Sequence, residues 1–205
     1  MFHVKADNIA KRYAGRTVIR SLSMEAQAGE IICLTGPNGS GKTTLLKMLC
    51  GLLRPTKGAV VITQRGASAP AAAVRRSLGI QTPHVRLYEE LTARENIDFL
   101  LRVRGLAPDP GKAPAALEKL EIAAAADRPF GDLSSGMKQR VLLAASLAHD
   151  PPALFLDEPT SFLDQPGRDC VTAAIQDLKK SKLVIVATND PRERDWGDRI
   201  IELGL

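Results

Sequence analysis

No apolar run in this chain is long enough to cross a bilayer. The longer ones, such as Val141 to Ala148, stop far short of the roughly eighteen residues that a membrane helix requires. The N-terminus shows no charged, apolar, cleavable leader. These absences predict a soluble protein of the cytoplasm. Cysteine is scarce: Cys33, Cys50 and Cys170 sit in apolar or amphipathic segments without metal-ligand spacing, so they are expected to be reduced thiols. There is no internal repeat, and no heptad pattern is sustained between Gly51 and Asp132, which argues against long coiled-coil arms. Excess charge is also small. A net +5 and a pI near 9.3 favour an anionic partner such as nucleotide, lipid headgroup or nucleic acid without choosing among them. At 205 residues the chain suits one domain, with space for a subdomain but not for a second catalytic module.

What is present is concentrated in one loop. Gly36-Pro37-Asn38-Gly39-Ser40-Gly41-Lys42-Thr43, followed by Thr44, has the spacing of a phosphate-gripping loop. Its glycines let the backbone curl until successive N–H groups face a β-phosphate. Lys42 supplies charge to the β and γ oxygens, and Thr43 offers a hydroxyl to Mg²⁺. The flanks fit: Glu30 to Thr35 reads as a short apolar strand, and Thr44 to Cys50 as a helix ending at Gly51. Such a helix points its partial positive end at the phosphates. ATP or GTP is the expected ligand.

Further along, Ala153-Leu154-Phe155-Leu156-Asp157-Glu158 is an apolar strand ending in two carboxylates. Asp157 can hold Mg²⁺ through water, and Glu158 can accept a hydrogen bond from the water that attacks a γ-phosphate. Alternation in Phe2 to Asp7 and in Thr17 to Leu22 predicts an antiparallel β layer ahead of the loop, and Val60 to Thr63 another strand. From about Ala67 to Pro129 the composition turns to alanine, arginine and short helical patterns, interrupted at Pro108, Pro110 and Pro114, which suggests an inserted helical subdomain. Within it Thr92 and Glu95 form a capping box, so a helix should start there and end at Gly105. Val171, Ala174, Ile175 and Leu178 recur at helical spacing before the strand Leu183 to Thr188. Strand, helix, strand alternation implies a parallel sheet.

The order of phosphate loop, helical insert, Leu133-Ser134-Ser135-Gly136-Met137, Leu156-Asp157-Glu158-Pro159-Thr160 and Ser161-Phe162-Leu163-Asp164 resembles the ATP-binding subunit of ABC transporters over nearly the whole chain. The resemblance implies an α/β phosphate-loop NTPase core with a mainly parallel sheet, an N-terminal antiparallel layer and a helical subdomain at about 80–145, all in one domain spanning 1–205. It implies ATP and Mg²⁺ as cofactors, with Thr43 and Asp157 at the metal and Lys42, Glu158 and Asn189 as catalytic residues. It also implies a homodimer or heterodimer in which Ser134, Ser135 and Gly136 of one copy close over ATP held by Gly36 to Thr44 of the other. Asp164 would lie in the loop that communicates across this interface, and Tyr13 would stack on adenine.

This chain departs from the family at several positions. Pro83 stands where a glutamine is usual, with Gln81 and His84 beside it, and Asn189 stands where a histidine is usual. Ser135 and Met137 replace a glycine and a glutamine. The site is expected to hydrolyse ATP, more slowly than one with the histidine. The resemblance further implies a separate transmembrane permease subunit, peripheral attachment to the inner face of the cell membrane and no nucleic-acid partner. The chain looks similar to the ATPase of haem exporters in cytochrome c maturation and equally to the ABC-2 export class. A soluble ABC-type scaffold, as in iron–sulfur cluster assembly, and a degenerate nucleotide sensor are the competing readings.

Overall fold

Two sheets share the chain. The computed structural model describes residues 2–107 and 109–204. In chain order the strands and helices are β1 (Phe2–Tyr13), β2 (Arg16–Gln27), β3 (Ile31–Thr35), α1 (Lys42–Leu49), β4 (Lys57–Gln64), β5 (Ala67–Pro70), α2 (Ala71–Val74) and β6 (Gly79–Gln81). They continue as α3 (Ala93–Val103), α4 (Lys112–Lys119), α5 (Ser135–Leu147), β7 (Ala153–Asp157), α6 (Gln165–Lys179), β8 (Leu183–Ala187), α7 (Pro191–Arg194) and β9 (Arg199–Glu202). The antiparallel sheet has the order β2-β1-β4-β5 and the parallel sheet β6-β7-β8-β3-β9. The β1–β2 hairpin turns through Ala14 and Gly15, whose φ of 42° and 84° match the twist of the strands that they join.

The central strands are apolar throughout because both of their faces are covered. Ile32, Leu34, Phe155 and Ile185 face a core shared with α1, β1, β2 and β4, whereas Ile31, Cys33, Leu154, Leu156, Val184 and Val186 face a core built with α3, α4, α5 and α6. The two sets alternate along each strand, as the pleat requires. Asp157 ends β7 next to Ala187 of β8, and β8 pairs with β3, so the acidic strand tip comes to the same edge as the phosphate loop.

The helix at Thr92 forms as its capping box predicts: the Thr92 hydroxyl accepts the Glu95 N–H at 3.1 Å and the Glu95 carboxylate accepts the Thr92 N–H at 2.8 Å. Composition misleads at the start of the insert. Residues 67–81 hold two strands and, between them, only one turn of α-helix running into a short 3₁₀ turn at Arg75–Ser77, because Ala67–Pro70 is recruited by the edge of β4 and Gly79–Gln81 by β7. The helical segment begins at Ala93; Pro114 lies inside the first turn of α4, where a missing N–H costs nothing, and Pro108 lies outside the described residues. Among the described residues no helix is long and apolar enough to cross a membrane.

His149 follows α5 with neither ring nitrogen hydrogen-bonded. Burial, followed by the neighbouring Arg104 cation, pushes its pKa down to about 4. A histidine that is harder to protonate folded than unfolded costs nothing above about pH 6.5. The cost accrues as pH falls towards 4 and is constant below that, with an upper bound of about 3 kcal/mol. Denaturant unfolding of wild type and His149→Gln across this window checks it: the two stabilities should diverge as the pH falls. Parallel curves would mean that the ring is solvated.

Candidate phosphate-transfer site

The loop after β3 is shaped by glycines that have no substitute. Gly36 has φ of 141°, and a Cβ there would lie 2.3 Å from the Leu203 carbonyl oxygen. Gly41 precedes α1 at φ of 104° and brings no side chain to cap the helix, so the first N–H groups of α1 face the loop unsatisfied. Lys42 is buried and donates to the Gly36 carbonyl at 2.8 Å and the Pro37 carbonyl at 3.2 Å. Its cation is therefore held within the loop's own curl.

The two motifs meet where Thr43 donates its hydroxyl to Asp157 Oδ2 at 2.7 Å. Burial raises the Asp157 pKa, opposed chiefly by that hydrogen bond and by Lys47 and Lys42. A hydroxyl and a partly desolvated carboxylate are the hard oxygen donors that suit Mg²⁺, which keeps most of its waters. Glu158 has a left-handed φ of 52°. Its N–H donates to the Ala187 carbonyl at 2.9 Å and its carbonyl accepts from Gln139 Nε2 at 3.0 Å. The backbone thus turns sharply after Asp157 and separates the two carboxylates. Burial also raises the Glu158 pKa, with the nearby Glu193 carboxylate second. Asn189 Nδ2 donates to Asn38 Oδ1 at 3.0 Å, which joins the loop after β8 to the phosphate loop.

Two of the clefts around this centre meet at Asp157 and Glu158. A smaller one of about 280 Å³ is lined by Val18, Gly39, Lys42, Thr43 and Thr44, and reaches Glu158. A larger one of about 600 Å³ runs past Asn38, Gln81, Glu158 and Asn189 to Ser135 and Phe162. Pro83 lines both, and His84 is exposed. Gln81 is 3% exposed, and its Oε1 accepts no hydrogen bond. Of the two residues beside Pro83, Gln81 is the one that brings an amide to the larger cleft.

The structure separates the remaining sequence candidates. Ser134 caps α5, accepting the Met137 N–H at 3.3 Å, and Ser135 and Gly136 form the first turn of that helix. Among the described residues no hydrogen bond joins these three to the phosphate loop. Asp164 caps α6 by accepting the Gly167 N–H at 3.0 Å. Tyr13 is 45% exposed at the end of β1, with Lys11 Nζ 5.1 Å from its ring centroid, and lines neither cleft. Sequence reasoning missed Val18, which approaches Gly41 from β2, and Glu193, buried beside Glu158. No local motif marks either residue.

The ABC transporter family model matches residues 19–161. The Nod factor export ATP-binding protein I of Burkholderia orbicola (strain AU 1054) is 35% identical over 191 residues, covering 92% of this chain and 63% of its own. The daunorubicin resistance ATP-binding protein DrrA3 of Streptomyces coeruleorubidus is 34% identical over 201 residues, covering 96% and 64%. The chain thus spans less than two thirds of these relatives' length. Among solved structures, the ATP-binding cassette MJ0796, a dimer in a post-hydrolysis state bound to ADP and Pi, superposes with a TM-score of 0.87 at 28% identity, covering 98% of this chain and 94% of that one. A bacterial Atm1-family ABC exporter with ATP bound gives 0.82 at 27% identity, covering 98% of this chain and 37% of that one.

Proposed function

The chain belongs to the ABC transporter family, and from that premise we propose that it binds and hydrolyses ATP to power export through a separate transmembrane subunit. The observation that carries the proposal is the hydrogen bond of Thr43 to Asp157, with Lys42 in the same loop and Glu158 next along the chain. The phosphates enter the curl of Gly36 to Thr44, where Lys42 exchanges its carbonyl partners for β and γ oxygens. Thr43 and Asp157 would hold Mg²⁺, which would supply charge neutralisation at the phosphates. Glu158 orients the attacking water, with Asn189 and Gln81 as amides on the wall of the larger cleft.

Two copies face each other in this proposal. The exposed start of α5, Ser134 to Gly136, donates its first-turn N–H groups to the triphosphate held by the other copy. The whole chain acts as one ATP-binding domain. The subdomain at about 80–145, helical from Ala93, presents Tyr88, Phe99 and Val103, all exposed, to the membrane subunit. Tyr88 and Phe99 meet edge to face at 5.1 Å, which keeps this patch in a fixed shape. Attachment to the membrane then runs through the partner. Nod factor export, in the name of one relative, and the solved Atm1-family exporter support export. Neither of these names mentions haem, so the proposal stops at export and leaves the cytochrome c expectation aside.

ATP turnover of the purified protein, with and without Asn189→His, tests the reading. Wild type should release phosphate, and the histidine should raise kcat by about tenfold because it adds a group that titrates near neutrality. A histidine variant that is slower than wild type would make Asn189 an adapted residue and remove the slow-site reading. Co-purification with a polytopic membrane protein supports transport, whereas soluble cysteine-rich partners would favour the scaffold reading.

A further inference from the structure

Glu193 has no place in the chemistry described so far. It lies in α7, is 2% exposed, and its Oε1 accepts two donors from one residue: the Thr160 N–H at 2.8 Å and the Thr160 hydroxyl. Thr160 is itself buried, two residues after Glu158. Its oxygen also accepts from Arg168 Nη1 at 3.3 Å. The same Arg168 nitrogen donates to Asp190 Oδ2 at 3.1 Å, and Arg168 Nε donates to the Leu163 carbonyl at 3.0 Å. Asp190 follows Asn189 directly. Its N–H is held by the Thr188 hydroxyl at 2.9 Å, and its carboxylate also accepts from Arg192. One connected brace therefore spans the exit of β7, the turn at 161–164, the start of α6 and the loop that carries Asn189.

A purely stabilising role fits this arrangement poorly. Glu193 Oε2 is buried without a hydrogen-bond partner, a desolvation cost that an apolar side chain of similar volume would avoid. The satisfied oxygen, by contrast, grips Thr160, two residues past the left-handed turn at Glu158 and joined to it through Pro159. That turn must be fixed if the Glu158 carboxylate is to meet a water at hydrogen-bond distance.

We propose that Glu193 is a positioning residue for hydrolysis: by holding both donors of Thr160 it fixes Glu158 and Asn189 relative to each other. The proposal rests on the reading that the site hydrolyses ATP. Arg168 and Asp190 complete the brace from the far side of Thr160, and none of the three needs to touch nucleotide.

Glu193→Gln keeps an acceptor oxygen for Thr160, Glu193→Leu removes it at similar volume, and Thr160→Val removes the hydroxyl with little change of shape. Steady-state kcat and KM for MgATP are measured on each, beside wild type and Glu158→Gln. Glu193→Leu should lower kcat on the order of ten- to a hundredfold while KM stays within about threefold, because binding contacts are intact and only the reacting geometry is loosened. Glu193→Gln should recover kcat to within about threefold, and Thr160→Val should lower it by about three- to tenfold if Glu193→Leu fails to fold. A folded Glu193→Leu with wild-type kcat, a loss of kcat as large in Glu193→Gln, or an unaltered Thr160→Val overturns the positioning role alone. A wild type as idle as Glu158→Gln overturns the hydrolysis reading, and the positioning role with it.

Discussion

Replacing Glu158 with glutamine is expected to cut ATP turnover by about 100- to 10,000-fold while leaving ATP bound. The substitution preserves shape and the backbone contacts that make the turn, namely the N–H to Ala187 and the carbonyl to Gln139. It removes the carboxylate that, in the proposed function, accepts the water's hydrogen bond. Thr43, Asp157 and Lys42 are untouched, so nucleotide should still be gripped. If hydrolysis is what separates two copies, ATP with Mg²⁺ should hold the variant as a dimer that wild type forms only transiently. Phosphate release and light scattering in the same sample read both effects. Turnover within about threefold of wild type would place the water-orienting group elsewhere, and Gln81 would be the next residue to test. Loss of turnover with no change in dimer lifetime would keep the catalytic assignment and remove hydrolysis as the reset step.

The second large effect is on folding. Gly51 has φ of 76°, and its N–H is held by the Met48 carbonyl at 3.2 Å, closing α1. A Cβ there would lie 2.3 Å from the Ala71 carbonyl carbon and 2.5 Å from the Ala72 nitrogen. Backbone, unlike a side chain, cannot swing aside. Gly51→Ala combines left-handed strain with overpacking and should cost about 2–5 kcal/mol. For a domain of this size that lowers the thermal midpoint by roughly 5–15 °C. The damage should also reach function, because α1 carries Lys42 and Thr43 at its other end. A midpoint within about 2 °C of wild type would mean that the chain at 71–72 moves freely, contrary to the packing seen here.

The sequence made some of this legible and left other parts out of reach for physical reasons. The phosphate loop is contiguous, so its eight residues carry their own spacing. β3, β7 and β8 are covered on both faces and therefore read as unbroken apolar runs. The cap at Thr92 needs only four consecutive residues. By contrast, Gly79–Gln81 is too short to show any period and becomes a strand only because β7 offers it a ladder. Ala67–Pro70 looks helical by composition and is extended because the edge of β4 is open to it. Glu193 meets Thr160 across 33 positions, and nothing near either residue announces the pairing. Gly51 was legible as a helix stop, but its tight fit against Ala71 was not. The resemblance puts Tyr13 at adenine, and only the folded chain reveals that Lys11 lies over its ring.

Lys42 keeping to the carbonyls of Gly36 and Pro37 has a consequence for how nucleotide arrives. Those two bonds tie the curl of the loop to the head of α1 from within the chain. If this loop takes a triphosphate as proposed, the ordering of the stretch is supplied by folding and takes little from the affinity.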